Sequence, residues 1–214
     1  MVDCTADNVT PIVNASAHFL MTKLTSLCVY CGSQAGNQPS HRAAAARLGT
    51  LLGENGIRLI FGAGNVGLMG VVADAVLAAG GEAVGIIPHH LNRMELAHDQ
   101  LTEIHVVNSM HERKQRMFEL ADAFAVLPGG LGTLDETIEI VTWRQLRLHQ
   151  MPVILIDHRG YWEPFCDLVD HVVREGFAHP SVTTLFTVVN DVDDVIPTIE
   201  AQPQAEIPAK SDYL

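Results

Sequence analysis

Residues 123–136 read AFAVLPGGLGTLDE. The run 123–127 is apolar throughout, with the length and composition of a strand buried on both faces. Pro128-Gly129-Gly130 interrupts it, and Leu131-Gly132-Thr133 leads into a helix that begins near Thr133 and continues to about residue 148. Glycine lets the backbone approach a ligand closely. A helix start offers unpaired N–H groups and the positive end of its dipole, which suits a phosphate. Thr133 adds a hydroxyl. A turn needing glycine only for its own sterics is the competing reading. Three glycines and a threonine at one strand-to-helix junction favour phosphate binding.

The same alternation extends outward in both directions. Residues 24–30 form an apolar strand ending at Cys31-Gly32-Ser33, and Pro39 and Ser40 open an alanine-rich helix that stops at Asn55-Gly56. Strands at 57–61 and 83–87 flank a helix at 68–79, and the segment 88–100 is polar and irregular. A strand at 104–107, a helix at 110–120, a strand at 153–156 and a helix at 161–175 complete the series. Short apolar strands alternating with helices predict an α/β fold, a Rossmann-like doubly wound parallel sheet with helices on both faces. The domain is expected over 24–200, with 1–23 a flexible N-terminal extension and 201–214 a C-terminal tail. Ligands of such sheets sit at the carboxyl ends of the strands, where the glycine-rich turns fall. Gly62-Ala63-Gly64-Asn65-Val66-Gly67 matches the dinucleotide fingerprint, but it follows the second strand, and the third ends at Pro88 without an acid. A dehydrogenase is excluded on that ground.

Composition removes other classes. The chain has 214 residues, 48 % hydrophobic and 18 % charged, enough for one well-cored domain. Its formal charge of -12 repels a phosphate backbone, so no nucleic-acid partner is expected. No apolar run approaches the roughly 18 residues that cross a bilayer, so no membrane association is expected. The N-terminus lacks the basic and apolar regions of a signal peptide. Four scattered cysteines, Cys4, Cys28, Cys31 and Cys166, suit free thiols in a cytoplasmic protein. Cys28 and Cys31 are three apart in a strand, which predicts buried thiols on opposite faces, not a redox pair. His89-His90 with His98 lacks zinc-site spacing, and no metal site is expected. Trp143 and Leu146, at helical spacing, read as core or dimer contacts.

Glu136 falls in the first turn of the helix after the glycine loop, where the dipole alone would stabilise a carboxylate. It also faces whatever the loop holds. Two negative charges so close need cations between them, and Arg113 and Lys114 on the preceding helix are candidates. A solvated pair on a helix surface is the equally weighted alternative.

Pro128-Gly129-Gly130-Leu131-Gly132-Thr133-Leu134-Asp135-Glu136 reproduces the PGGxGTxxE signature of the LONELY GUY family of cytokinin-activating phosphoribohydrolases. Met110-His111-Glu112-Arg113-Lys114 resembles that family's upstream MxxRK motif at the expected distance. Cys31-Gly32-Ser33 and Val66-Gly67-Leu68-Met69-Gly70 resemble further landmarks, so the likeness spans residues 24–190. The resemblance implies hydrolysis of the N-glycosidic bond of N6-substituted adenosine 5′-monophosphates to free cytokinin base and ribose 5-phosphate. It implies a homodimer or an assembly of dimers, and no cofactor. Carried over by position, Arg113 and Glu136 are the catalytic pair. Glu95, Arg113, Lys114, Thr142 and the run Gly129, Gly130, Leu131, Gly132, Thr133, Leu134, Asp135, Glu136 are the substrate contacts. Ala63 departs from the family's glycine triplet, and Asp135 from a frequent glutamate. A broader AMP nucleosidase and a non-catalytic nucleotide-binding protein of the same fold are the alternatives.

An older label for such sequences, lysine decarboxylase, requires pyridoxal phosphate on a lysine. The only lysines are Lys23, Lys114 and Lys210, two of them in the expected tails. Glycosidic cleavage instead develops positive charge on the ribose carbon. Glu136 would stabilise that cation directly, or orient and deprotonate the attacking water.

Overall fold

The computed structural model describes residues 23–92 and 97–202. The expectations for 1–22 and 203–214 lie outside the described residues.

Seven strands form one sheet: β1 (Ser26–Tyr30), β2 (Arg58–Phe61), β3 (Ala83–Pro88), β4 (Glu103–Val107), β5 (Ala123–Val126), β6 (Val153–Ile156) and β7 (Thr187–Val189). The helices are α1 (Pro39–Glu54), α2 (Gly67–Ala78), the single turn α3 (His89–Asn92), α4 (Met110–Leu120), α5 (Leu131–Gln145), α6 (Glu163–Arg174) and α7 (Val195–Ala201). Strand order is β4-β3-β2-β1-β5-β6-β7, and every pairing is parallel. The expected Rossmann-like α/β fold is therefore the observed one.

The chain winds from β1 outward to β4, then crosses back to lay β5 on the free side of β1. Leu27 stands opposite Ala123 and Tyr30 opposite Val126. That reversal leaves the loops after β1 and β5 side by side at the carboxyl edge, the crevice such sheets use for ligands. The Gly32 N–H donates to the Pro128 carbonyl at 3.0 Å, tying one loop to the other.

Alternation along β1 divides the core in two. Leu27, Val29 and Cys31 meet Leu48 and Leu52 of α1 and Val72 and Val76 of α2. Cys28 and Tyr30 meet Met117 of α4, Ile140 of α5 and Trp162. The two cysteines thus occupy opposite faces, as period-2 spacing requires. Leu48 and Leu52 are wholly buried, so truncating either to alanine would cost about 2–5 kcal/mol.

Several boundaries differ from the sequence reading. Helix α5 starts at Leu131, so Glu136 lies in its second turn and no acid occupies the first. The placing of Glu136 in the first turn is therefore corrected: the helix starts two residues earlier, with Gly130 as its N-cap. Helix α3 falls in the segment read as irregular. Strand β7 has three residues between short 3-10 turns, too little for periodicity to register. Helix α7 ends at Ala201, one residue into the expected tail.

Candidate active site

A cavity of about 370 Å³ opens at the carboxyl edge of β1, β2, β3 and β5, between α4 and the start of α5. Its polar lining includes Ser33, Arg113, Thr133 and Glu136, with the backbone of residues 130–132. Val29, Met69, Ile87, Leu91 and Met117 form the apolar part.

Arg113 reaches this cavity because α4 starts under tight control. The Ser109 side chain caps the helix by accepting from the Glu112 N–H, and the Glu112 carboxylate accepts from the Asn108 N–H at 2.8 Å. Arg113 and Met117 are then four residues apart on the buried face. The guanidinium donates from Nε to the Ile86 carbonyl at 3.1 Å and from Nη2 to the Gly62 carbonyl at 3.2 Å. A Cβ at Gly62 would lie 1.8 Å from Nη2, so only glycine admits the arginine there. Nη1 is left facing Glu136 Oε1 at 3.8 Å.

Glu136 is 12 % exposed in its side chain. Burial raises its pKa from the ordinary carboxylate range to about 7; Arg113 and Lys114 pull it down, while Asp135 and Glu139 push it up. At neutral pH the group is close to half ionised, the condition that suits a general base. The same burial, then Glu136 itself, pushes the Cys31 thiol well above its ordinary value. Cys31 lines the cavity, but as a protonated thiol and not a nucleophile.

The glycine loop separates internal from external demands. A Cβ at Gly129 would lie 2.1 Å from Thr133 Oγ1, so that glycine serves the turn. At Gly130 and Gly132 a Cβ would meet nothing within 4 Å beyond its chain neighbours and the backbone of its own helix. Those two positions leave open space over a helix N-terminus with no side-chain cap.

The other expected site residues fall in different places. Lys114 donates to Asp135 at 3.1 Å and Glu139 at 3.0 Å and does not line the cavity. Burial works against its charge, but the two carboxylates outweigh it and raise its pKa. Leu134 packs against the core under α4 and α5. Gly129 lines a neighbouring cavity, and its carbonyl accepts from the Tyr161 hydroxyl. Thr142 is exposed, six residues or about 9 Å along α5 from Glu136. Glu95 lies outside the described residues. His98 is committed elsewhere: its Nδ1 accepts from the Gln100 N–H and its Nε2 bonds Asp74 at 3.0 Å. Trp143 packs edge-on against Phe118 with ring centroids 5.2 Å apart.

The sequence reading did not select Met117 or Tyr161. The i, i+4 spacing from Arg113 could have found Met117. Tyr161 meets Gly129 across 32 residues of chain, a contact no local pattern signals.

Comparison with known proteins places these features among relatives. Residues 69–199 match a family model described as possible lysine decarboxylase. A probable cytokinin riboside 5′-monophosphate phosphoribohydrolase of rice, Oryza sativa subsp. japonica, is 41 % identical over 84 % of this chain and 73 % of its own. Cytokinin riboside 5′-monophosphate phosphoribohydrolases of Arabidopsis thaliana and Rhodococcoides fascians are 38 % and 39 % identical, over 84 % and 82 % of this chain and 84 % and 89 % of theirs. Among solved structures, a molybdenum cofactor binding protein from Rippkaea orientalis superposes with a TM-score of 0.63 at 23 % identity, covering 84 % of this chain and 97 % of that one. That likeness is one of fold.

Proposed function

The chain belongs to the LONELY GUY family of cytokinin riboside 5′-monophosphate phosphoribohydrolases, and from that membership we propose how its own residues carry the family's reaction. The enzyme hydrolyses the N-glycosidic bond of N6-substituted adenosine 5′-monophosphates, releasing the cytokinin base and ribose 5-phosphate. The 5′-phosphate seats on the backbone N–H groups at residues 130–133, over the open positions of Gly130 and Gly132. The ribose then lies toward Arg113 and Glu136, and the base toward the apolar wall.

Breaking the bond to C1′ develops positive charge on the sugar. Ionised Glu136, in a site largely shielded from water, stabilises that charge and takes the proton of the attacking water. Arg113 holds Glu136 in place from a position fixed by two backbone carbonyls. Lys114, between Asp135 and Glu139, keeps those two carboxylates from suppressing the ionisation of Glu136. Among the described lining residues Glu136 is the single carboxylate. The observation that carries this reading is a buried carboxylate, raised to about 7, that shares one cavity with an uncapped helix start.

We further propose a homodimer or assembly of dimers built on α5. Leu131 (85 % exposed), Ile138 and Leu146 form an apolar stripe on its outer side. Thr142 lies eleven residues, about three turns, from Leu131 and so falls on that stripe. Its expected nucleotide contact would then be made to a neighbouring protomer. The free thiols Cys28, Cys31 and Cys166 fit a cytoplasmic setting. Among the described residues, no helix is long and apolar enough to cross a membrane.

Isopentenyladenosine monophosphate, AMP and adenosine, each incubated with the protein and assayed for free base and sugar, test the reading. The expected order is fast release from the first, slower from AMP and none from adenosine. Equal rates on AMP and adenosine would contradict the phosphate seat. No release from any of them would leave a nucleotide-binding protein.

A further inference from the structure

Two successive carbonyls lead into α5, and each is held from the loop of a different strand. The Pro128 carbonyl accepts from the Gly32 N–H, after β1, at 3.0 Å, and the Gly129 carbonyl accepts from the Tyr161 hydroxyl, after β6. We propose that Tyr161 is a positioning residue for the phosphate seat: by holding the Gly129 carbonyl, its hydroxyl fixes the direction of the Gly130 N–H. This rests on the function proposed above, in which residues 130–133 seat the 5′-phosphate.

A trans peptide is planar, and its C=O and N–H point in opposite directions. The Gly129 carbonyl and the Gly130 N–H share one such plane. The carbonyl is aimed at Tyr161, which with Gly129 walls a second cavity of about 490 Å³. Gly130 lines both cavities, whereas Tyr161 lines only the second. The N–H is thereby turned away from Tyr161, toward the cavity that holds Thr133, Arg113 and Glu136.

This plane is the one in the loop that resists turning over least, because glycine flanks it on both sides. A flip carries the φ of Gly130 from -92° into the positive region, which an L side chain resists and glycine accepts. Helix α5 does not hold the plane, since the Leu134 N–H bonds the next carbonyl, that of Gly130, at 3.0 Å. Among the described residues, the Tyr161 hydroxyl is the one donor to the Gly129 carbonyl. A flipped plane would show an anion a carbonyl oxygen in place of an N–H. Accepting a bond at the carbonyl also polarises the plane and strengthens its N–H as a donor.

The tyrosine is itself held in place. Its neighbour Trp162 is 1 % exposed, and the Trp162 N–H donates to the Asp157 carboxylate at 2.6 Å. The Tyr161 ring stands edge-on to Trp162 and to His41, with centroids 5.2 Å and 5.8 Å away. A phenylalanine keeps these ring contacts and removes only the hydroxyl.

Tyr161→Phe in the full chain tests the role, with the two reaction products as inhibitors. Ribose 5-phosphate carries the phosphate, and isopentenyladenine does not. The KM of isopentenyladenosine monophosphate and the inhibition constant of ribose 5-phosphate should both rise about tenfold, the worth of a charge-assisted hydrogen bond. The kcat at saturation and the inhibition constant of the free base should stay close to the parent's. An unchanged constant for ribose 5-phosphate overturns the proposal. So does an equal rise for both inhibitors, which would mean a general loosening of the cavity. The Gly130 amide, followed by NMR without ligand, should give one sharp signal in the parent and an exchange-broadened one in the variant; equally sharp signals overturn the lock. Ribose 5-phosphate titrated into the parent tests the seat separately, through shifts at the amides of residues 130–133. Their absence refutes the phosphate seat and this proposal with it, whereas their presence beside an unaltered variant counts against Tyr161 alone.

Discussion

The Arg113 guanidinium stands 3.8 Å from Oε1 of Glu136, with both side chains about nine-tenths buried. That separation is too long for a direct hydrogen bond. The reason is local: Nε and Nη2 are already committed to the carbonyls of Ile86 and Gly62. The arginine moderates the burial of Glu136 without cancelling it, and the carboxyl is left near pKa 7.

Glu136→Gln should fold normally and lose about 10²–10⁴-fold in turnover, the usual worth of a positioned general base. Ribose 5-phosphate release measures the loss, and a thermal melt checks the fold. Undiminished activity would remove Glu136 from the mechanism.

The ionisation of Glu136 has two consequences of opposite sense. The base works when deprotonated, so kcat/KM should rise with pH and reach half its plateau near 7. Stability runs the other way. The folded pKa, about 7, lies above the ordinary value of 4.5, so the folded state binds the extra proton. Its contribution is full below about 4.5 and lost as pH rises through 7. Glu136→Gln should therefore exceed the parent in stability at pH 8, by on the order of 3 kcal/mol, and match it near pH 4.5. Urea unfolding at the two pH values tests this; an unchanged gap between them would show that burial does not perturb Glu136.

Gly62→Ala places a methyl where Arg113 Nη2 lies, 1.8 Å away. The guanidinium must move by an ångström or more, which should reduce kcat by about 10²-fold although Gly62 carries no functional group. Retained activity would show that the arginine has a second productive position.

Lys114→Met leaves Asp135 and Glu139 facing Glu136 without their cation. The acid limb of the pH–rate profile should move to higher pH, with the plateau kept within a few-fold. A tenfold rise in KM with an unmoved limb would instead make Lys114 a substrate contact.

Much of the fold was legible because buried parallel strands and their helices repeat a strong pattern. Helix α4 matches its expected bounds, and β6 does so as well. The ends of the sheet were harder. Strand β7 is too short for alternation to show, and α7 follows a run of turns. The site was partly legible: Arg113, Thr133 and Glu136 do share a cavity. Ala63 shows the limit of reading a departure from a motif. It stands where relatives carry a glycine, yet it adopts the positive φ of 61° that glycine would favour, and its carbonyl accepts from the His98 N–H.

Order along the chain determined the strand–turn–helix units, the glycine loop over a helix start and the place of Glu136 just beyond that loop. These are local, since propensity, spacing and chirality act within a few residues. Tertiary structure decided that Arg113 spends its donors on Gly62 and Ile86, that Lys114 turns to Asp135 and Glu139, and that Glu136 is buried enough to reach about 7. Desolvation and hydrogen-bond geometry depend on which distant segments close over a side chain, and no local pattern contains that information.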